Sequence, residues 1–187
     1  KIIKLNNIIS VEPGSFRDPA GNIFYYEGKV LRLLNKSGQD RYNFLKKGDL
    51  INKCFKNDFL IKSYEVNDSK FKFDIFKNKK IIEHEKINYI SYPYEWSFDQ
   101  LKDAALHHLN FHLFLLDNNA TLIDGSAYNI QFNGYKPVFI DLLSIKEYNE
   151  GEYWNAHKQF CENFLNPLIL KSKKQIDFNN WFRGNLE

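Results

Sequence analysis

From Phe98 to Leu116 the apolar positions fall at Phe98, Leu101, Ala105, Leu109, Leu113 and Leu116, three and four residues apart. Ser97 and Gln100 stand in capping-box spacing at the start. This pattern predicts one long helix over 98–116, and it divides the chain into two unlike parts. Ahead of it the runs NIFYYE at 22–27 and KVLRLLN at 29–35 read as strands. Gly28 between them supplies the positive φ that a tight hairpin wants. The strand-like IISV and a turn-rich loop, PGSFRDPAG at 13–21, precede this hairpin. Residues 37–58 read as a helix or a pair of short helices broken at Gly48. Residues 69–76 alternate, Phe71, Phe73 and Ile75 against Lys70, Lys72 and Asp74, which predicts a half-buried strand. Asn78-Lys79-Lys80 is expected to turn it, and INYISY at 87–92 to form another strand.

Beyond the long helix, two short apolar strands, NIQF and PVFI, flank Asn133-Gly134, a strong hairpin dipeptide. Residues 152–170 read as helix again, with a break or kink at Pro167. The expected class is therefore α+β, with a strand-rich lobe over 1–90 and a mainly helical lobe over 91–187.

With 187 residues, 43% of them hydrophobic, the chain suits one domain or two small lobes and can bury a core, which argues against disorder and repeat architectures. No run approaches the roughly 18 to 20 apolar residues of a membrane span, so the expectation is a soluble, cytoplasmic protein without a membrane partner. Cys54 and Cys161 lie far apart and read as packing residues. The chain starts at Lys1 and has no Met, from which we expect a piece of a longer protein. Residues 1–90 hold 18 basic and 11 acidic groups, a balance of +7, and residues 91–187 hold 8 and 12, a balance of −4. Solvated Lys-rich strand faces account for most of this; a cleft with a phosphate on one wall and a metal on the other, or a nucleic-acid surface, are the functional alternatives.

The chemistry-bearing pattern is Asp124, Asn129 and Asp141. Asp124 and Asn129 are five apart, Asn129 opens NIQF, and Asp141 ends PVFI. The order Asp-x-x-x-x-Asn, strand, turn, strand, Asp is that of a kinase catalytic and metal core. A carboxylate ahead of the hairpin can accept a proton from an attacking hydroxyl, while the Asn amide oxygen and the second carboxylate hold Mg²⁺ over phosphates. The bland alternative is turn chemistry, with Asp124 and Asn129 capping loops.

With these residues, and with the order of strand-rich lobe, helical insert after the third strand, junction and long helix, the sequence resembles the protein-kinase-like superfamily, in the branch of aminoglycoside and small-molecule phosphotransferases. More closely, GSFRDPAGNIFYYEGKVLRLLN at 14–35, SYPYEWSFDQLKDAALHHL at 91–109, IDGSAYNIQF at 123–132, PVFIDLLS at 137–144 and QFCENFLNPL at 159–168 resemble the N-terminal region of bacterial nodulation-related or SAM-dependent methyltransferase proteins. The resemblance implies a bilobal kinase-like fold with Asp124 as catalytic base, Asn129 and Asp141 as metal ligands, and ATP and Mg²⁺ as cofactors. Arg32 would take the place of the phosphate-binding Lys, and Arg17 would sit in the phosphate-covering loop.

The departures are definite: Leu122-Ile123 replace His-Arg before Asp124, Leu142-Leu143 replace Phe-Gly after Asp141, and residues 37–58 contain no Glu, leaving Asp40 or Asp49 as substitutes in the ion pair. No Gly-x-Gly loop exists to hold an adenosyl cofactor. The first expectation is thus a phosphotransferase acting on a small molecule or glycan. The alternative is a pseudokinase-like accessory module of an attached methyltransferase domain. A nucleic-acid partner rests on the basic first half alone and is disfavoured. His108 and His112, one helical turn apart, are weaker metal candidates against a structural role, and Tyr92, Tyr94, Trp96 and Phe98 could meet a base or sugar or pack a lobe junction.

Overall fold

A computed structural model describes residues 9–12, 15, 20–67, 71 and 74–184 of the chain. It has the expected α+β class and falls into two compact units. One takes the described residues up to Asp49 together with those in Ile61–Lys86; the other takes Leu50–Leu60 and those from Ile87 on.

The first unit is an antiparallel sheet of five strands: β1 (Ile9–Val11), β2 (Gly21–Tyr26), β3 (Lys29–Leu34), β4 (Ser63–Val66) and β5 (Lys80–His84), in the order β1-β2-β3-β5-β4. β2 and β3 meet through Glu27 and Gly28, both at positive φ (47° and 78°), the two-residue turn whose twist matches paired strands. One face carries a cluster of Ile9, Phe24, Tyr26, Leu31, Phe76 and Ile81, with Phe24, Tyr26 and Phe76 meeting edge to face. Helix α1 (Lys36–Lys46) follows β3. Asn35 caps it by accepting from Gly38 N at 2.9 Å. It ends at Gly48 and Asp49, both at positive φ, before helix α2 (Leu50–Lys56), so the expected break at Gly48 is present.

Two strand expectations fail here. Residues 74–76 form a 3₁₀ turn rather than a strand; Phe76 reaches the core from that turn, and Phe71 packs against the same cluster. Residues 68–70 and 72–73 of the same expectation lie outside the described residues. The neighbouring strand is Lys80–His84, where a turn was expected at its first residue, and it runs inside the sheet between β3 and β4. Residues 87–92 are not a strand, because Ser91 finds its backbone partners in one side chain. Its N–H donates to Gln131 Oε1 and its carbonyl accepts from Gln131 Nε2, both at 3.0 Å, and that buried amide stands where a neighbouring strand would.

The second unit is built on helix α3 (Phe98–Leu116), with the expected bounds and capping box: Ser97 Oγ accepts from Gln100 N at 3.2 Å and Gln100 Oε1 accepts from Ser97 N at 2.8 Å. Strands β6 (Ala120–Leu122) and β9 (Ile145–Glu147) pair with each other, and between them in sequence lies the hairpin β7 (Ile130–Asn133) and β8 (Lys136–Phe139). Its turn is Gly134-Tyr135, one residue later than the Asn-Gly dipeptide suggested, with Gly134 at φ 65° in the first central position.

The last helical stretch starts at His157, not near 152. Trp154 is fixed outside it by its Nε1 donating to Leu122 O at 2.9 Å and by stacking on His112. It runs through α4 (His157–Phe160), a π-turn (Cys161–Leu165) and α5 (Asn166–Lys174), and α6 (Asn179–Gly184) follows. Pro167 has no N–H and its ring crowds the carbonyl four residues back. The wide turn, closed by Asn166 N–H donating to Cys161 O, accommodates both without ending the helix. No helix among the described residues is long and apolar enough to cross a membrane.

Candidate functional site

The segment between β6 and β9 is held at its base by backbone bonds. Below the hairpin, β6 and β9 pair with Leu122 opposite Ile145, and Ile123 N donates to Ser144 O at 2.9 Å. At the hairpin's open end Ile140 N donates to Asn129 O at 2.8 Å. Asn129 and the residue preceding Asp141 are therefore bonded neighbours, and Asp124 leaves β6 just beneath them. The Asp-x-x-x-x-Asn spacing becomes a short loop ending in a 3₁₀ turn, Ala127–Asn129, capped by Ser126 Oγ, which accepts from Tyr128 N at 3.2 Å.

All three side chains are half-buried. Asp141 caps its own 3₁₀ turn, accepting from Leu143 N at 3.3 Å and from the Ser144 hydroxyl. Asp124 Oδ1 accepts from Ser126 N at 2.8 Å. Burial pushes the Asp124 carboxyl above its ordinary pKa and the negative charge of Asp141 adds to this, while the Ser126 N–H and the amides of Asn129 and Gln159 act the other way. Asn129 is bonded through its backbone to the residue before Asp141, and the Asn129 amide and the Asp141 charge both bear on Asp124. The Asn129 Nδ2 is buried and makes no hydrogen bond of standard geometry, although the amide is near enough to favour the Asp124 carboxylate.

An amide that gains so little from its donor end can equally present its oxygen. The Asp141 carboxylate and the Asn129 amide oxygen are hard oxygen donors of the kind Mg²⁺ takes while keeping positions for phosphate and water. The residues present fit the ion. Among the described residues no group of three or more His, Cys, Asp and Glu side chains could hold a metal, so a cation here would depend on the Asn amide and on the ligand's own oxygens.

Of the remaining expected residues, Arg32 belongs to the first unit. It lies 4% exposed in β3, opposite Ile23 and Ile82. Arg17 lies outside the described residues. His108 and His112 each have a structural partner: His108 Nε2 donates to Asp124 O at 3.2 Å and His112 Nε2 contacts Thr121 Oγ1 at 2.9 Å. Burial holds both well below the usual histidine pKa, at about 4. In the aromatic segment Tyr92 and Tyr94 stack on each other. Trp96 is buried against Phe132 and donates to Ser91 Oγ at 2.9 Å, which is packing inside this unit.

Residues missed in the sequence hold the loop. Gln159 Oε1 accepts from Gly125 N at 2.8 Å and Asn163 Oδ1 accepts from Ala127 N at 3.1 Å. Gly125 sits so close to the helix that a Cβ there would meet Ala156 O at 2.7 Å and Phe160 N at 2.8 Å. Two polar residues four apart on a face with Phe160 and Phe164 were the available signal.

Over 174 residues, 93% of its length, the chain is 41% identical to nodulation protein NoeA of Rhizobium meliloti (strain 1021). It spans about a third of that relative, 36% of its length. Among solved structures it is similar to vaccinia related kinase 3, with a TM-score of 0.48 and 15% identity over 71% of this chain and 46% of that one. No family model matches the chain.

Proposed function

We propose that this chain is a kinase-like domain that binds a nucleotide with Mg²⁺ and transfers a phosphoryl group to a hydroxyl of a small molecule or glycan. The observation that carries the reading is the Ile140 N–Asn129 O bond that closes the open end of one hairpin, setting Asn129 opposite the residue before Asp141 at the end of the loop that Asp124 begins. The element order supports it: five antiparallel strands with a helix inserted after the third, then a long helix, then a loop and hairpin bearing the polar triplet.

Asn129 and Asp141 would hold the ion, which supplies neutralisation of charge on the phosphate oxygens. Asp124, its affinity for protons raised by burial, accepts the acceptor's hydroxyl proton as that oxygen bonds to the terminal phosphorus and the bond to the nucleoside diphosphate breaks. The sequence resemblance assigns phosphate contact to Arg32, a permanent cation buried in β3, and to Arg17, which lies outside the described residues.

Calorimetry with Mg-ATP tests this. The wild type should bind at or below about 1 mM nucleotide, a usual range for enzyme substrates, and Asp141→Asn should not; absence of heat with the wild type ends the reading.

The departures from the kinase pattern, Leu122-Ile123 before Asp124 and Leu142-Leu143 after Asp141, favour a second reading, a non-catalytic pseudokinase-like module regulating an attached activity. NoeA's name speaks of nodulation and not of methyl transfer, so an attached methyltransferase rests on sequence resemblance alone. Deleting this domain from the full-length relative should then change that protein's activity, while Mg-ATP turnover stays absent.

A further inference from the structure

The loop Asp124–Ala127 pairs with no strand; the Ser126 and Ala127 carbonyls accept from the Asn129 and Ile130 N–H groups, and side chains take its remaining bonds. Asp124 O accepts from His108, Gly125 N donates to Gln159, Ser126 N to the Asp124 carboxylate and Ala127 N to Asn163. Gln159 differs from the others. Only its Oε1 can accept from Gly125 N–H, so that bond fixes the orientation of the amide, leaves Nε2 as its donor end and holds it at the residue next to Asp124; the amide is among the groups that favour the Asp124 carboxylate. The missing side chain of Gly125 lets the loop lie directly on the helix turn that carries this amide.

We propose that Gln159 is a positioning residue for Asp124, gripping the loop backbone with one end of its amide and the carboxylate with the other. Its place in catalysis rests on the reading of Asp124 as base; the contact itself does not.

Gln159→Glu keeps an acceptor for Gly125 N–H but turns a carboxylate toward Asp124, and Gln159→Met removes both ends. The Asp124 carboxyl ¹³C resonance and the exchange rate of the Gly125 amide are read by NMR at one pH, beside steady-state Mg-ATP hydrolysis with water as acceptor. In Gln159→Glu the Gly125 amide stays protected and the Asp124 resonance moves, while kcat falls about tenfold or more at unchanged KM. In Gln159→Met the Gly125 protection is lost as well. An Asp124 resonance unmoved in Gln159→Glu overturns the proposal, as does undiminished Gly125 protection in Gln159→Met. A wild type that hydrolyses no ATP ends the base assignment, and the two NMR readings still decide the contact. If Gln159→Met does not fold, Gln159→Glu carries the test alone.

Discussion

Two hairpins of this chain arise from the same local signals and are put to different use. In β2–β3 the strands are six residues long, the turn is Glu27-Gly28, and the side chains feed an apolar cluster with Phe76 and Ile81. In β7–β8 the strands are four residues long and turn at Gly134-Tyr135. The open end rather than the strands carries the interest, because Asn129 and Asp141 flank it and Asp124 lies below. Turn glycines and apolar alternation specify a hairpin in either place. What separates a scaffold from a candidate site is the set of outside contacts at the open end: the β6–β9 pairing, His108 beneath Asp124, and Gln159 and Asn163 on the loop.

Breaking that outside hold should have the largest effect. Gly125→Ala places a methyl group against backbone atoms of the helix, which cannot yield as a flexible side chain would, and should cost about 3 kcal/mol in urea unfolding. Next is acid. Unfolded histidine takes up a proton near pH 6.5, whereas His108 and His112 resist to about 4, so the unfolded state binds more protons between these values and stability is lost as pH falls through them. The loss is on the order of 3 kcal/mol per histidine. His108→Gln and His112→Gln, which keep a hydrogen-bonding amide near the Nε2 position, should each flatten part of that slope in unfolding measured from pH 7 to 4.

Asp141→Ala removes the cap on Leu143 N and the partner of the Ser144 hydroxyl, a loss of about 1 to 2 kcal/mol, while Asp141→Asn keeps the acceptor and should change stability less. Urea midpoints of the two variants against wild type check this. The smallest effect belongs to a hairpin tip: Gly134→Ala meets nothing within 4 Å and pays only for its φ of 65°, about 1 kcal/mol. A loss there equal to that of Gly125→Ala would mean that the two hairpin ends are not distinguished as described.

The same contrast explains what was legible in the sequence. Helix α3 and both hairpins were read because Ser97, Gln100, Gly28 and the apolar periods act within a few residues of one another. Asp124, Asn129 and Asp141 were singled out by a spacing, and the hairpin brings Asn129 to the residue before Asp141. β5 was misplaced because Lys79 and Lys80 look like a turn and because Phe71, Phe73 and Ile75 alternate like a strand face, although Asp74–Phe76 is a 3₁₀ turn and it is Phe76 that enters the core. Ser91 did not join a strand because Gln131, forty residues away, supplies both of its bonds. Gln159 and Asn163 bond to backbone N–H groups, which every non-proline residue has, so no pairing of residue types announces them.

The claim that the open end of β7–β8 is a cation site for nucleotide phosphates is met most directly by Mn²⁺ titration with ATP present, followed by loss of the free-ion EPR signal. The account predicts one Mn²⁺ held per chain, with affinity at least about tenfold weaker in Asp141→Asn, a variant that still folds. Equal Mn²⁺ binding by the wild type and Asp141→Asn would contradict it.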